Sequence, residues 1–189
     1  MSGSLTDLSH HFLIAMPGMV DPAFAGTMIY LCNHDEEGAM GLTVNRPLDV
    51  PLRTLFEQFD LPCTGSRGNE TLLNGGPVQR DWGFVLHSDS TKQWQGTQQV
   101  GGGIKMTASR DIIEDLARGK DAPEHSCVVL GYAGWGAGQL EAELLGNAWL
   151  TVPADAVLLF ETPVEQRADR AAASIGVDLS KLSNSAGRA

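Results

Sequence analysis

Thr27-Met28-Ile29-Tyr30-Leu31-Cys32-Asn33, the polar step Asp35-Glu36-Glu37-Gly38, and then Ala39-Met40-Gly41-Leu42-Thr43-Val44 form the run that decides the fold class. The first arm is rich in strand-forming residues and the second is apolar. The acidic step ending in glycine between them predicts an antiparallel hairpin with a polar turn. Upstream, His11–Met16 is apolar and stops at Pro17, which adds a strand. Downstream, Leu72-Leu73 and Phe84–His87 read as strands around the turn Asn74-Gly75-Gly76-Pro77, and Thr97–Val100 reads as another before Gly101-Gly102-Gly103. The middle of the chain is therefore mostly β.

Helical periodicity interrupts this pattern at defined places. After Pro51 the apolar positions Leu52, Leu55, Phe56 and Phe59 fall on one helical face, with Pro62 just beyond. Ser109 stands where an N-cap belongs, ahead of a helix with Asp111 in its first turn, Ile112, Ile113 and Leu116 inside and Gly119 as its stop. Cys127–Leu130 reads as a short buried strand, Gly131–Gly138 as a glycine-rich turn, and Gln139–Leu145 as a helix with Leu140 and Leu144 on one face, followed by a strand over Ala148–Val152. Val157–Phe160 is apolar but too short to classify by period. Beyond Pro163, Val164, Ala168, Ala171, Ala172 and Ile175 form a helical stripe closed by Gly176. With no repeat and no linker, residues 1–189 read as one domain, with flexible ends at 1–10 and 183–189.

Composition narrows the function. Thirteen basic residues against twenty-three acidic ones give a net charge of −10. Such a chain, with its arginines and lysines scattered, lacks the basic patch from which DNA binders draw their affinity, so direct DNA binding is not expected. Met1–His10 has neither the basic start nor the apolar core of a signal peptide, and the longest uncharged stretch, Ser126–Leu140, has 15 residues and four glycines, short of the roughly 20 needed to span a bilayer. A cytoplasmic protein with no membrane contact is expected. Cys32, Cys63 and Cys127 are odd in number and form no C-x-x-C pair, which predicts reduced thiols.

Seven stretches occur in order: Met16-Pro17; Asp21-Pro22 followed by Phe24-Ala25-Gly26-Thr27; Gly38-Ala39-Met40-Gly41-Leu42; Asn45-Arg46-Pro47; Asn74-Gly75-Gly76-Pro77-Val78; Gly83-Phe84-Val85-Leu86-His87; and Gly131 to Leu140. Together they closely resemble the AlgH/YqgE family, also called UPF0301, from about His11 onward. The resemblance implies an α+β domain whose mostly antiparallel, split sheet curls into a pseudo-barrel with packed helices. It also implies a transcriptional regulator, the role by which the family is named through a link to alginate control. It brings no agreed enzymatic activity, so no catalytic residue and no cofactor is carried over.

Several groups invite a chemical reading. Gly134, Trp135, Gly136 and Gln139 lie where a strand meets a helix, a place for backbone amides to meet an anion, and Asp155 stands at roughly the spacing of a ribose-binding acid. Gln139 occupies the position where a dinucleotide fingerprint needs glycine, so a tight packing turn competes with nucleotide binding. Asn45 and Arg46 end a strand; Arg46, Asn74 and Arg110 either clamp a carboxylate or phosphate or tie down a loop. Cys32 and His34 alternate and so face one side, but two ligands make no metal site, and none is expected. His87 beside Ser88 and His125 beside Ser126 point to opposite faces of a regular strand and cannot pair as base and nucleophile.

Two readings follow. The first is a non-catalytic regulator acting through a protein partner or a small ligand, of unspecified oligomeric state, with Asn45, Arg46, Asn74, Arg110, Gly134, Trp135, Gly136 and Gln139 as the binding residues. The second is a nucleotide- or small-anion-binding protein or enzyme built on the Gly131–Gly138 turn.

Overall fold

The structure is a computed structural model that describes residues 7–183. The ends expected to be flexible fall outside the described residues at 1–6 and 184–189, while Leu8 and His10 are held to the sheet through His34 Nδ1 and the Leu31 carbonyl, both at 3.1 Å. Among the described residues the strands are β1 His11–Ala15, β2 Met28–Asp35, β3 Gly38–Thr43, β4 Pro47–Pro51, β5 Thr71–Asn74, β6 Val78–His87, β7 Gln98–Gly101, β8 Ile104–Thr107, β9 Ser126–Gly136 and β10 Trp149–Pro153. The helices are α1 Leu52–Gln58, α2 Arg110–Arg118, α3 Gln139–Leu145, α4 Ala156–Phe160, α5 Arg167–Ser174 and α6 Leu179–Ser183.

The ten strands form one sheet in the order β10-β1-β2-β3-β9-β6-β8-β7, with β4 and β5 added beside β9, curled into a half-barrel. All pairings are antiparallel except β5 with β9. The α+β class and the split, curled antiparallel sheet are as the sequence and its resemblance led one to expect.

Both faces of the sheet are covered, which explains why β1 and β2 read as continuous apolar runs. Phe12, Ile14, Met28 and Tyr30 join one cluster with Leu159 of α4 and Ala171 and Ala172 of α5. Their neighbours Leu13, Ala15, Ile29 and Leu31 join another with Trp135, Trp149 and Leu140 of α3. A third cluster sits under α1 and α2. Alternate residues thus serve opposite layers.

The firm corrections concern irregular segments. Residues 131–136 are not a turn: β9 continues through them, pairing with β3 from Ala133 to Gly136, and only Ala137 and Gly138 lie between strand and helix. Cross-strand partners override the turn preference of glycine, which shows itself as a bend only at Gly131, with φ of 76°. Strands β4 and β8 and helices α4 and α6 were not anticipated; each has five residues or fewer, too short for a periodic signal. Ser109 occupies the N-cap position of α2 but makes no capping bond, because its hydroxyl donates to Asp111 Oδ1 instead.

A bulge at Cys32 shifts the register between Leu31 and Asn33. Cys32 packs against the Phe12 cluster, whereas His34 bonds Glu141 of α3 at 2.8 Å on the opposite layer, so the two do not share a face.

Candidate functional site

The segments Asn45-Arg46-Pro47 and Asn74-Gly75-Gly76-Pro77 meet where β3 passes into β4 and β5 passes into β6. Thr43 N–H donates to the Gly75 carbonyl at 2.8 Å, Asn74 N–H to the Arg46 carbonyl at 2.8 Å, and Gly75 N–H to Leu130 at 2.7 Å. Asn74 Oδ1 accepts from Gly76 N–H at 3.2 Å, closing a local turn. This knot requires glycine: a Cβ on Gly75 would lie 2.2 Å from the Gly131 carbonyl oxygen, and one on Gly76 would lie 2.2 Å from Tyr132 backbone.

A cleft of about 350 Å³ opens beside the knot, walled by Pro22, Thr43, Arg46, Asn74, Pro77 and Arg80 among others, and among the described residues that line it none is acidic. Arg46 lines this wall, and Asn45 beside it ties the adjoining loop. Asn45 Oδ1 accepts from Met28 N–H at 2.7 Å, and its Nδ2 donates to Gly26 at 2.9 Å. The Arg46 guanidinium donates to the carbonyls of Ala23 at 2.9 Å, Pro22 at 3.1 Å and Ala25 at 2.7 Å. Of the two readings open for Arg46, the loop tie is the one observed; most of its donors are already engaged.

The cation left free in the cleft is one the sequence reading passed over. The side chain of Arg80, on the exposed half of β6, makes no hydrogen bond or ion pair among the described residues. It follows Gln79, which holds φ at 44°, a conformation rare for a residue with a side chain. Nothing in the sequence marks an exposed arginine on a strand; the signal was its place just after Asn74-Gly75-Gly76-Pro77.

The remaining predicted residues lie apart. Trp135 is 6 % exposed and packs with Phe24 and Trp149. Its indole N–H and that of Trp149 both donate to Glu143 Oε2, at 2.9 and 2.7 Å, while Gln139 Nε2 donates to Glu143 Oε1 at 3.2 Å. Trp135 is therefore core, not an outward anchor. The Gly136 amide is taken by Gln139 Oε1 at 3.1 Å, Gly134 lies in the β3–β9 ladder, and α3 carries Glu141 in its first turn. The anion reading of Gly131–Gly138 thus loses the Gly136 amide to Gln139 and meets an acidic helix start. Asp155 caps α4, accepting from Leu158 N–H at 2.9 Å, and is no ribose acid. Arg110 is bound to Glu114 at 3.1 Å and to the Phe59 carbonyl at 2.8 Å, over the Phe59 ring and away from the cleft.

The serine–histidine neighbours are likewise engaged elsewhere. His87 is buried between the Thr107 hydroxyl at 2.8 Å and the Ser88 carbonyl at 2.9 Å, and burial holds its imidazole below the usual range. Ser88 Oγ bridges the backbone of His125, and Ser126 Oγ accepts from Arg67 at 2.5 Å. Burial pushes the Cys127 thiol up to about 11 and Cys32 up to about 12, so both stay protonated near neutral pH. Among the described residues no three His, Cys, Asp or Glu side chains gather as metal ligands, and no helix is long and apolar enough to cross a membrane.

Residues 12–180 match the model of a family described as AlgH-like. The chain is 48 % identical over 184 residues to a UPF0301 protein of Thioalkalivibrio sulfidiphilus, covering 97 % of this chain and 98 % of that one. It is 49 % identical over 183 residues to a UPF0301 protein of Chromobacterium violaceum, covering 96 % and 97 %. The solution structure of the AlgH protein of Pseudomonas aeruginosa superposes with a TM-score of 0.78 at 50 % identity over the whole of both chains. A crystal structure from Corynebacterium diphtheriae shares the fold, with a TM-score of 0.72 at 19 % identity over 93 % of this chain and 91 % of that one.

Proposed function

This chain belongs to the AlgH-like family, UPF0301, and on that premise we propose that it is a cytoplasmic regulator of transcription that acts indirectly, by recognising an anionic group of a protein partner or small ligand in the Arg80 cleft. The observation that carries this reading is the Arg80 guanidinium, which among the described residues has no partner and no acidic neighbour lining its cleft, on a chain whose net charge is −10. A cation kept free of carboxylates on so acidic a surface suits a carboxylate or phosphate, which its planar fork meets with two hydrogen bonds. Asn74 and the Arg46-tied loop supply a fixed rim. The acidic surface also weighs against gripping DNA directly. The engagement of Ser88, Ser126 and His87 with neighbouring groups favours binding over nucleophilic catalysis.

A thermal-shift panel of carboxylates, phosphorylated metabolites and nucleotides tests the reading. An occupant at about 100 times its dissociation constant adds roughly 2.7 kcal/mol and raises the melting temperature. A panel in which no anion moves the melting temperature contradicts it.

A further inference from the structure

Away from the Arg80 cleft, two recesses of about 270 and 250 Å³ share Glu70, Ser126 and Arg167 as walls and so form one groove. Arg167, at the start of α5, is 6 % exposed and has no carboxylate within ion-pair distance among the described residues. Its Nε donates to the Thr162 carbonyl at 3.2 Å and its Nη1 to the Val44 carbonyl at 2.5 Å. Nη2 has no partner among the described residues. No fully enclosed side-chain nitrogen or oxygen among the described residues lacks a partner, so Nη2 keeps accessible surface, on a residue that walls both recesses. A buried guanidinium held only by neutral carbonyls is poorly compensated, and an anion placed before Nη2 offsets that cost.

The second charged wall is Glu70. It meets Arg67 Nε only at 3.8 Å, with half of its own side chain exposed. Burial raises its carboxyl above the usual range, which marks a carboxylate short of compensating charge. Arg67 is otherwise engaged by Ser126 Oγ and the carbonyls of Pro123 and Glu124. Arg167 and Glu70 thus face the groove without pairing with each other, while Glu124 and His125, also on its wall, meet each other at 3.9 Å. Next to them Leu52, Leu73, Val128 and Val164 provide an apolar wall.

We propose that this groove binds a small zwitterion, an α-amino acid with an apolar side chain, its carboxylate on Arg167 Nη2, its ammonium on Glu70 and its side chain against Leu73 and Val164. One groove thus offers an α-amino acid each kind of group it carries: a cation for the carboxylate, a carboxylate for the ammonium and an apolar wall for the hydrocarbon. Carboxylate and guanidinium meet as a charge-assisted pair, and ammonium and carboxylate do likewise. Arg80 and its cleft take no part, so success or failure here is independent of the proposed function.

The test is a ¹H–¹⁵N titration of the full chain with leucine, 4-methylpentanoate and leucinamide. Leucine is expected to shift the amides of Leu73, Ser126 and Val128 and the Arg167 Nε–H saturably. 4-Methylpentanoate lacks the ammonium and leucinamide the carboxylate, and each is expected to bind at least tenfold more weakly, a difference of about 1.4 kcal/mol. Glu70→Gln, at a half-exposed side chain, is expected to leave the melting temperature unchanged and to weaken leucine by the same factor. Absence of saturable shifts with leucine, valine and phenylalanine overturns the site. Equal binding of 4-methylpentanoate, or full leucine affinity in Glu70→Gln, overturns the zwitterion assignment.

Discussion

The carbonyl oxygen of Gly131 lies where a Cβ on Gly75 would be, at 2.2 Å. Gly131 itself holds φ at 76°, and a Cβ there would meet the Gly76 carbonyl oxygen at 2.7 Å. Here β9 leaves its pairing with β5, shifts register against β6 and runs on toward β3, while the Asn74–Pro77 turn packs against the bend. Backbone contacts of this kind cannot relax by moving a side chain. Gly131→Ala is expected to lose more than about 2 kcal/mol in urea unfolding, since both strain and clash oppose it. A loss under about 0.5 kcal/mol, the level of an ordinary surface change, would show that the bend is not fixed.

Trp135 and Trp149 hang from one Glu143 oxygen. Trp135→Ala should cost about 3 to 5 kcal/mol, the range for emptying an aromatic core site. Glu143→Ala should cost about 1 to 3 kcal/mol, because it strands two indole donors in a largely dry cluster. Denaturant midpoints decide both. A Trp135→Ala protein of wild-type stability would mean that the side chain is not core.

Arg46 binds three carbonyls of the segment from Pro22 to Ala25. Lysine cannot reproduce that fork. Arg46→Lys is therefore expected to speed hydrogen exchange at the Phe24, Ala25 and Thr27 amides, which close this loop, at least about tenfold, the equivalent of about 1.4 kcal/mol of local opening. The β1–β2 amides should be unaffected. Unchanged exchange in the loop would contradict the tie.

Much of this architecture was legible in the chain, and the losses have physical causes. The hairpin from Met28 to Thr43 was readable from its strand-forming residues and polar turn, and helices α1, α2 and α3 from apolar residues that repeat with the helical period. The course of β9 through Gly131–Gly136 was not, because local glycine chemistry says turn while pairing with Ala39 to Gly41 says strand. Cys32 and His34 were misread for want of any sign of a bulge. In the candidate site, Asn45, Arg46 and Asn74 did come together, whereas Arg110, Trp135 and Gln139 fell to other duties. Arg80 was missed because its significance is the absence of a partner, which no sequence displays.

His87 gives the stability a pH dependence of known sign. Burial keeps its folded pKa below the unfolded value near 6.5, so the unfolded chain takes up the proton more readily. This contribution is fully present above about pH 6.5 and is lost as pH falls through the depressed folded value. The unfolding midpoint in urea is expected to drop between pH 7.5 and 5.5, and His87→Gln to flatten that drop. An equal pH dependence in the variant would assign it to other groups.

The most direct measurement is a ¹H–¹⁵N titration of wild-type and Arg80→Ala proteins with citrate and inorganic phosphate, following the Arg80 Nε–H and the amides of Thr43, Asn74 and Gly76. At least one of the two anions should shift these signals saturably in the wild type, and Arg80→Ala should weaken it at least tenfold, about 1.4 kcal/mol, with its melting temperature unchanged because the side chain is exposed and makes no bond among the described residues. No saturable shift in the cleft with either anion, or equal affinity in Arg80→Ala, would contradict the claim that this cleft recognises an anionic group.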